Sequence, residues 1–180
     1  LGGSTPRQIT SMTSDLNGGV WTYDLTQGLV RWNGGRFIPS SLPEDVRNTP
    51  VISSYSDRHG RAWFGLADGR VLVAESESRF KVYGAEQGLT SGPYRAILED
   101  QRNVIWLGGN LGLSRFDGHH FQTLRARREF PIDSLTAIVD DDHGQLWLAT
   151  EGEGIIRVHH EEIGKALAKP THAIQFTRYD

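Results

Sequence analysis

Several side chains in this 180-residue chain are of types that do chemistry. Glu151 and Glu153 place two carboxylates in one glycine-containing turn, the raw material of acid–base hydrolysis. Two acids in an open turn are not a catalytic dyad without enclosure. Serine, histidine and aspartate all occur, yet no serine carries the strained elbow signature of a nucleophile. The pairs His119-His120 and His159-His160 invite a metal reading. Neighbours on a strand point to opposite faces, so each pair presents at most one imidazole to a site. Both pairs are read as exposed turn histidines, and no metal ligand is assigned. Cysteine is absent, which removes disulfides, thiolate catalysis and thiolate zinc sites together. Arg125-Ala-Arg-Arg128 is too short a basic cluster to bind nucleic acid in a chain of net charge −3. These residues assign no catalytic group, no cofactor and no nucleic-acid partner.

The elements that position such residues are legible from a repeat. Trp21, Trp63, Trp106 and Trp147 recur with a period of roughly forty residues. Six residues before each stands an aspartate: Asp15, Asp57, Asp100 and Asp141. Three before stands Gly18, Gly60, Asn103 or Gly144, and six or seven after comes Gly28, Gly69, Gly112 or Gly154. Glycine, or asparagine in its place, allows the positive φ of a tight hairpin, and the aspartates are suited to bonding turn amides. Each tryptophan is expected to fill space between neighbouring modules. In the fourth unit, Leu135-to-Val139, Gln145-to-Thr150, Ile155-to-Val158 and Ala173-to-Tyr179 alternate as strands between Gly- and Asp-rich turns.

The predicted fold is therefore all-β, a β-propeller of four four-stranded antiparallel blades at approximately 8–38, 50–83, 93–124 and 134–179. A short helical insert is expected over 161–169, stopped by Pro170. No apolar run reaches the roughly 18 residues a membrane span requires. The start at Leu1, without methionine or a cleavable leader pattern, reads as a processed or excised piece.

Asp-x-x-Gly-x-x-Trp followed by Gly-Leu-x-Arg-Phe resembles the two-component regulator propeller repeat. It appears as Asp15-to-Trp32, Asp100-to-Phe116 and Asp141-to-Val158, with Arg31, Arg115 and Arg157 three residues after the second glycine. Gly84-to-Gly92 is similar to the linker between such blades, and unit two departs by having Leu72 where the arginine is expected. The resemblance implies an extracytoplasmic, periplasmic sensor region of a bacterial membrane receptor, with any kinase or cyclase in segments outside this chain. The membrane is then reached only through flanking segments.

Four blades leave two end faces. If each exposes roughly 400–500 Å² of apolar surface, about 10 kcal/mol per end goes unrealised. The chain is accordingly expected to be part of a larger ring, its partners being remaining blades or a second copy; a four-bladed ring is the other solution. Ligands of propellers meet the rim formed by turns between second and third strands and by blade-to-blade connections. On it the sequence places Tyr23, Asp24, Asp68, Asn110, Glu151 and Glu153, with Tyr94, Arg95, Arg127 and Arg128 (and Arg47 and Asn48) from the connections. Acids beside arginines and tyrosines suit an oligosaccharide or other polar small molecule. The expected function is non-enzymatic ligand sensing or protein docking, with an interaction scaffold or a propeller lyase or hydrolase as alternatives.

Overall fold

Each Asp–Gly–Trp unit folds into one antiparallel sheet. The computed structural model describes residues 5–90, 92–141 and 143–180, so Leu1, Ser91 of the linker and Asp142 of the fourth turn lie outside the described residues. Blade one holds β1 (Ile9–Ser14), β2 (Val20–Asp24), β3 (Gly28–Trp32) and β4 (Phe37–Pro39). Blade two holds β5 (Val51–Ser56), β6 (Ala62–Leu66), β7 (Val71–Ala74) and β8 (Phe80–Tyr83). Blade three holds β9 (Tyr94–Glu99), β10 (Ile105–Gly109), β11 (Gly112–Phe116) and β12 (Phe121–Arg125). Blade four holds β13 (Leu135–Asp140), β14 (Gln145–Thr150), β15 (Ile155–His159) and β16 (Phe176–Tyr179), with α1 (His160–Ala168) between its last two strands.

Strands follow chain order within every sheet, as an up-and-down hairpin series dictates. The first strands pack in succession, β1 on β5, β5 on β9 and β9 on β13, which makes them the inner edge of the array. The architecture is that of a propeller, as the repeat predicts.

Strand alternation gives each blade two faces, and each junction seats a tryptophan face on the opposite face of the next blade. Trp21, Tyr23 and Leu29 pack with Ala62, Phe64, Leu66, Leu72 and Ala74. Trp63, Val71 and Val73 pack with Ile105, Leu107, Phe116 and Phe121. Trp106 and Leu113 pack with Leu146, Leu148, Ile156 and Val158. Trp21 meets Phe64 and Phe80 edge-on at 6.0 Å, and Trp63 meets Phe116 at 5.4 Å. In blade four the same face carries Val139, Trp147, Ile155 and Tyr179, and Val139, Ile155 and Tyr179 are 55%, 44% and 40% exposed. That face is a shallow apolar groove of about 390 Å³ lined by Ala137, Val139, Asp141, Trp147, Ala149 and Ile155.

Three details differ from the sequence reading. Trp63 pairs with Val73, whereas Trp21, Trp106 and Trp147 pair with Arg31, Arg115 and Arg157; the residue in the arginine's place is Val73, not Leu72. The fourth strand of blade four begins at Phe176 rather than Ala173. The helix begins at His160, whose side chain is buried, so this histidine is not an exposed turn residue. His159 caps the helix, its Nδ1 accepting the Glu161 amide at 3.2 Å.

Candidate functional site

The inner strand of every blade carries a β-bulge at the same place. Pairing skips between Ile9 and Ser11, Val51 and Ser53, Tyr94 and Ala96, and Leu135 and Ala137. The skipped residues are Thr10, Ile52, Arg95 and Thr136, and all four are exposed. A bulge takes a residue out of the ladder and re-aims its side chain, and bulges concentrate at rims and next to binding sites. These four therefore present one side chain per blade at the inner edge, beside the turns between second and third strands. Of the four, only Arg95 is among the rim residues expected from the sequence. The equivalent spacing before each tryptophan was there to be found, but a bulge leaves no residue type of its own.

Around this edge the structure joins residues from separate blades. The Arg95 guanidinium of blade three forms an ion pair with Glu151 of blade four. The Glu151 amide donates to the Ser134 carbonyl at 3.1 Å, and the Ser134 amide donates to the Asn110 carbonyl at 2.9 Å. Asn110 Oδ1 is buried and makes no hydrogen bond among the described residues. Glu153 pairs with Arg178 of β16 further out on the same blade. A groove of about 360 Å³ beside the first blade is lined by Thr5, Arg7, Gln8, Thr26 and Gln27.

Other rim candidates are spent on structure. Tyr23 is buried in the first junction. Asp24 is fully buried and accepts Thr26 Oγ1 at 2.6 Å, the Gln8 amide at 2.8 Å, the Thr26 amide at 2.8 Å and the Arg7 amide at 2.7 Å. The Thr26 hydroxyl first, then those amides, hold its carboxyl well below the usual range. Tyr94 is fully buried, its hydroxyl 3.3 Å from Ser114 Oγ, which lies 2.7 Å from Thr123 Oγ1. Burial raises Asp68, but the side-chain and amide hydrogen bonds from Arg70 and its positive charge together outweigh it and lower the carboxyl. Arg127 donates to the Pro170 carbonyl at 2.6 Å, Arg128 stands exposed beside it, and Arg47 and Asn48 stand exposed on one turn between the first two blades. The structure thus brings Arg95, Asn110 and Glu151 together and leaves Tyr23, Asp24, Tyr94, Asp68, Arg127 and Arg128 outside that group.

The opposite rim holds the signature carboxylates. Asp15, Asp57, Asp100 and Asp141 each accept the indole N–H of their own tryptophan, at 3.1, 2.8, 2.9 and 3.0 Å. Each also binds turn amides, as Asp57 does those of His59 and Arg61 at 3.0 and 2.9 Å. In blades one and two an arginine joins them, Arg31 on Asp15 at 2.7 Å and Arg61 on Asp57 at 2.5 Å. In blade three, Asp100 meets His160 and Asp140, and ligand-type atoms of the three lie within 4.8 Å of one another.

Comparison with known proteins agrees with this fold. Residues 88–110 match the family model described as "Two component regulator propeller", the repeat that the motif spacing resembles. Among solved structures, the chain is similar to one described as the extracellular domain of a hybrid two component system, BT3049 of B. thetaiotaomicron, at 21% identity and a TM-score of 0.71. It is similar to virginiamycin B lyase from Staphylococcus aureus at 18% identity and TM-score 0.66. It is also similar to PorZ, a surface component of the type-IX secretion system of Porphyromonas gingivalis, at 16% identity and TM-score 0.68. These matches cover 96%, 96% and 95% of this chain but 23%, 56% and 27% of the others. At such identities the likeness establishes the fold. A search of curated proteins returns no match.

Proposed function

We propose that this chain is a non-enzymatic sensing or docking segment of an extracytoplasmic bacterial signalling receptor. The observation that carries the reading is the repeated bulge, which offers Thr10, Ile52, Arg95 and Thr136 at one edge with Glu151 and Asn110 beside them. An arginine, an acid, an amide and two hydroxyls suit a polar ligand such as an oligosaccharide, or a polar segment of a partner protein. The match of residues 88–110 to the repeat and the likeness to a receptor's extracellular domain support the same reading. The lyase likeness keeps hydrolase or lyase chemistry as the contrary outcome, and a scaffold without a small ligand is the other.

The open Trp147 face belongs to this proposal. Three equivalent faces in the same chain are each covered by the next blade, so a further blade of the same repeat is the occupant whose shape fits.

The test is a thermal-shift screen of neutral and acidic oligosaccharides against the natural full-length polypeptide. A ligand present at about a hundred times its Kd stabilises by about 2.7 kcal/mol, well within detection. Binding lost in Arg95→Ala with the melting temperature of the free protein unchanged is the expected result. Silence across the panel together with capture of a protein partner through the same edge would favour the scaffold, and turnover of any glycan would overturn the non-enzymatic reading.

A further inference from the structure

We infer that His160, Asp100 and Asp140 form a binding site for a divalent cation of the zinc type, clamping blade three to blade four. The site lies on the rim opposite the bulges and does not depend on the sensing role.

α1 is an insertion between β15 and β16, and its buried residues Ile163 and Ala166 anchor it in the third junction. Its first residue, His160, is thereby held between two blades, edge-on to Trp106 at 5.7 Å. The side chains of His160, Asp100 and Asp140 are 3%, 0% and 9% exposed. The position is where blades one and two place a cation. Arg115, the counterpart of Arg31, turns instead to Gln122. The other cation near, Arg102, lies 3.8 Å from Asp100 Oδ2 with its side chain 59% exposed.

The donor set is the decisive part. His160 Nε2 lies 3.3 Å from Asp140 Oδ1. A carboxylate only accepts, so Nε2 carries the hydrogen and Nδ1 of the neutral ring presents a lone pair. That Nδ1 is buried, makes no hydrogen bond among the described residues, and faces Asp100 Oδ2 at 3.5 Å. In that tautomer two acceptors face each other in a buried junction, a place suited to a cation. Two ligands of an ion bound at about 2.0–2.1 Å in tetrahedral geometry stand about 3.4 Å apart. The 3.5 Å between Nδ1 and Oδ2 is compatible with that edge. Asp140, bonded to the far nitrogen, completes the carboxylate–histidine–metal relay that fixes ring orientation and raises ligand basicity. An imidazole nitrogen paired with a carboxylate oxygen suits zinc or cobalt better than magnesium or calcium, which prefer oxygen alone.

The experiment uses the chain stripped with chelator and titrated with Zn²⁺, followed by calorimetry, metal analysis and thermal unfolding, with Co²⁺ as a spectroscopic probe. The expected result is one tightly held equivalent, a raised melting temperature and a Co²⁺ d–d band with nitrogen–oxygen character. His160→Gln loses that equivalent, Asp140→Asn weakens it about ten- to hundredfold, and the double variant His119→Ala/His120→Ala retains it. Asp140→Asn, altered only beyond the first ligands, keeps the test decisive if His160→Gln does not fold. No binding, or binding removed by the His119/His120 variant, overturns the proposal. So does a melting temperature that Zn²⁺ leaves unchanged.

Discussion

Trp63 Nε1 donates to Asp57 Oδ2 at 2.8 Å, so the largest side chain of the second blade is tied to the carboxylate that closes its first turn. The same acid receives the amides of His59 and Arg61 and the Arg61 guanidinium, and its side chain is fully buried. One carboxylate therefore sets the turn and fixes the indole at the blade junction. The bond recurs in all four blades, which explains why aspartate and tryptophan keep a constant separation along the chain.

Removing that acid orphans several buried donors at once. Asp57→Ala is expected to destabilise by about 3–5 kcal/mol, the cost of breaking a buried charged pair. Asp57→Asn keeps an acceptor but loses the Arg61 pairing, and should fall between the two. Urea unfolding followed by tryptophan fluorescence measures both, and equal stability of Asp57→Ala and wild type would contradict the assignment.

Trp63 and Trp147 occupy equivalent positions with unequal surroundings. Trp63→Ala is expected to cost about 3–5 kcal/mol, as for other buried large-to-small changes. Trp147→Ala, on the open face, should cost less than about half of that in this chain. In the natural full-length polypeptide the two costs converge if a further blade covers the face. Equal costs in the isolated chain would mean the face is already covered, by a second copy, which light scattering would reveal as a dimer.

Glycine at position 65 is demanded by the second junction. A Cβ there would stand 2.3 Å from the Tyr94 carbonyl oxygen and 2.4 Å from Ser53 Oγ, which itself donates to that carbonyl. Gly65→Ala should destabilise by about 1–3 kcal/mol through overpacking. Ala149, its counterpart on the open face, should accept valine almost without cost. Paired thermal melts of Gly65→Ala and Ala149→Val compare the two, and a larger loss at Ala149 would reverse the argument.

Glu162 ties the inserted helix to the start of the last strand. It accepts Lys165 Nζ at 2.8 Å, the Gln175 amide at 3.0 Å and His172 at 2.8 Å. The Lys165 ammonium first, then the Gln175 amide and His172, lower its carboxyl from 4.5 to about 2. The folded group titrates below the unfolded one, so its contribution is complete above about pH 4.5 and is lost as pH falls towards about 2. Glu162→Gln should melt below wild type at pH 6, and the two curves should meet near pH 2. A gap constant from pH 6 to pH 2 would assign the difference to something other than the charge.

Much of the architecture was legible because its determinants are local. Gly18, Gly60 and Gly144 adopt positive φ, as does Asn103 at 62°, and a positive φ is a property of one residue and its hairpin. Strand alternation and period likewise need only neighbouring residues. The site was less legible. Tyr94 sits at the expected strand end, but the face it occupies depends on the register across the bulge beside it, and it is buried; Tyr23 follows Trp21 by two residues on β2 and is buried on the same face. Thr10, Ile52 and Thr136 carry no common chemistry, so only the pairing across the sheet identifies them.

By itself the sequence determined the module, its four copies, their stacking as β-blades and the tryptophan at each junction, because each of these follows from turn chemistry and alternation within one unit. Tertiary structure alone decided which partners those units meet. It placed His160 between Asp100 and Asp140, far apart in sequence, by docking a nine-residue helix on the preceding blade. It put Val73 rather than Leu72 beside Trp63, and it left the Trp147 face open while covering three like it. Contacts between blades are set by rigid-body packing of whole sheets, and no spacing within a single repeat encodes that arrangement.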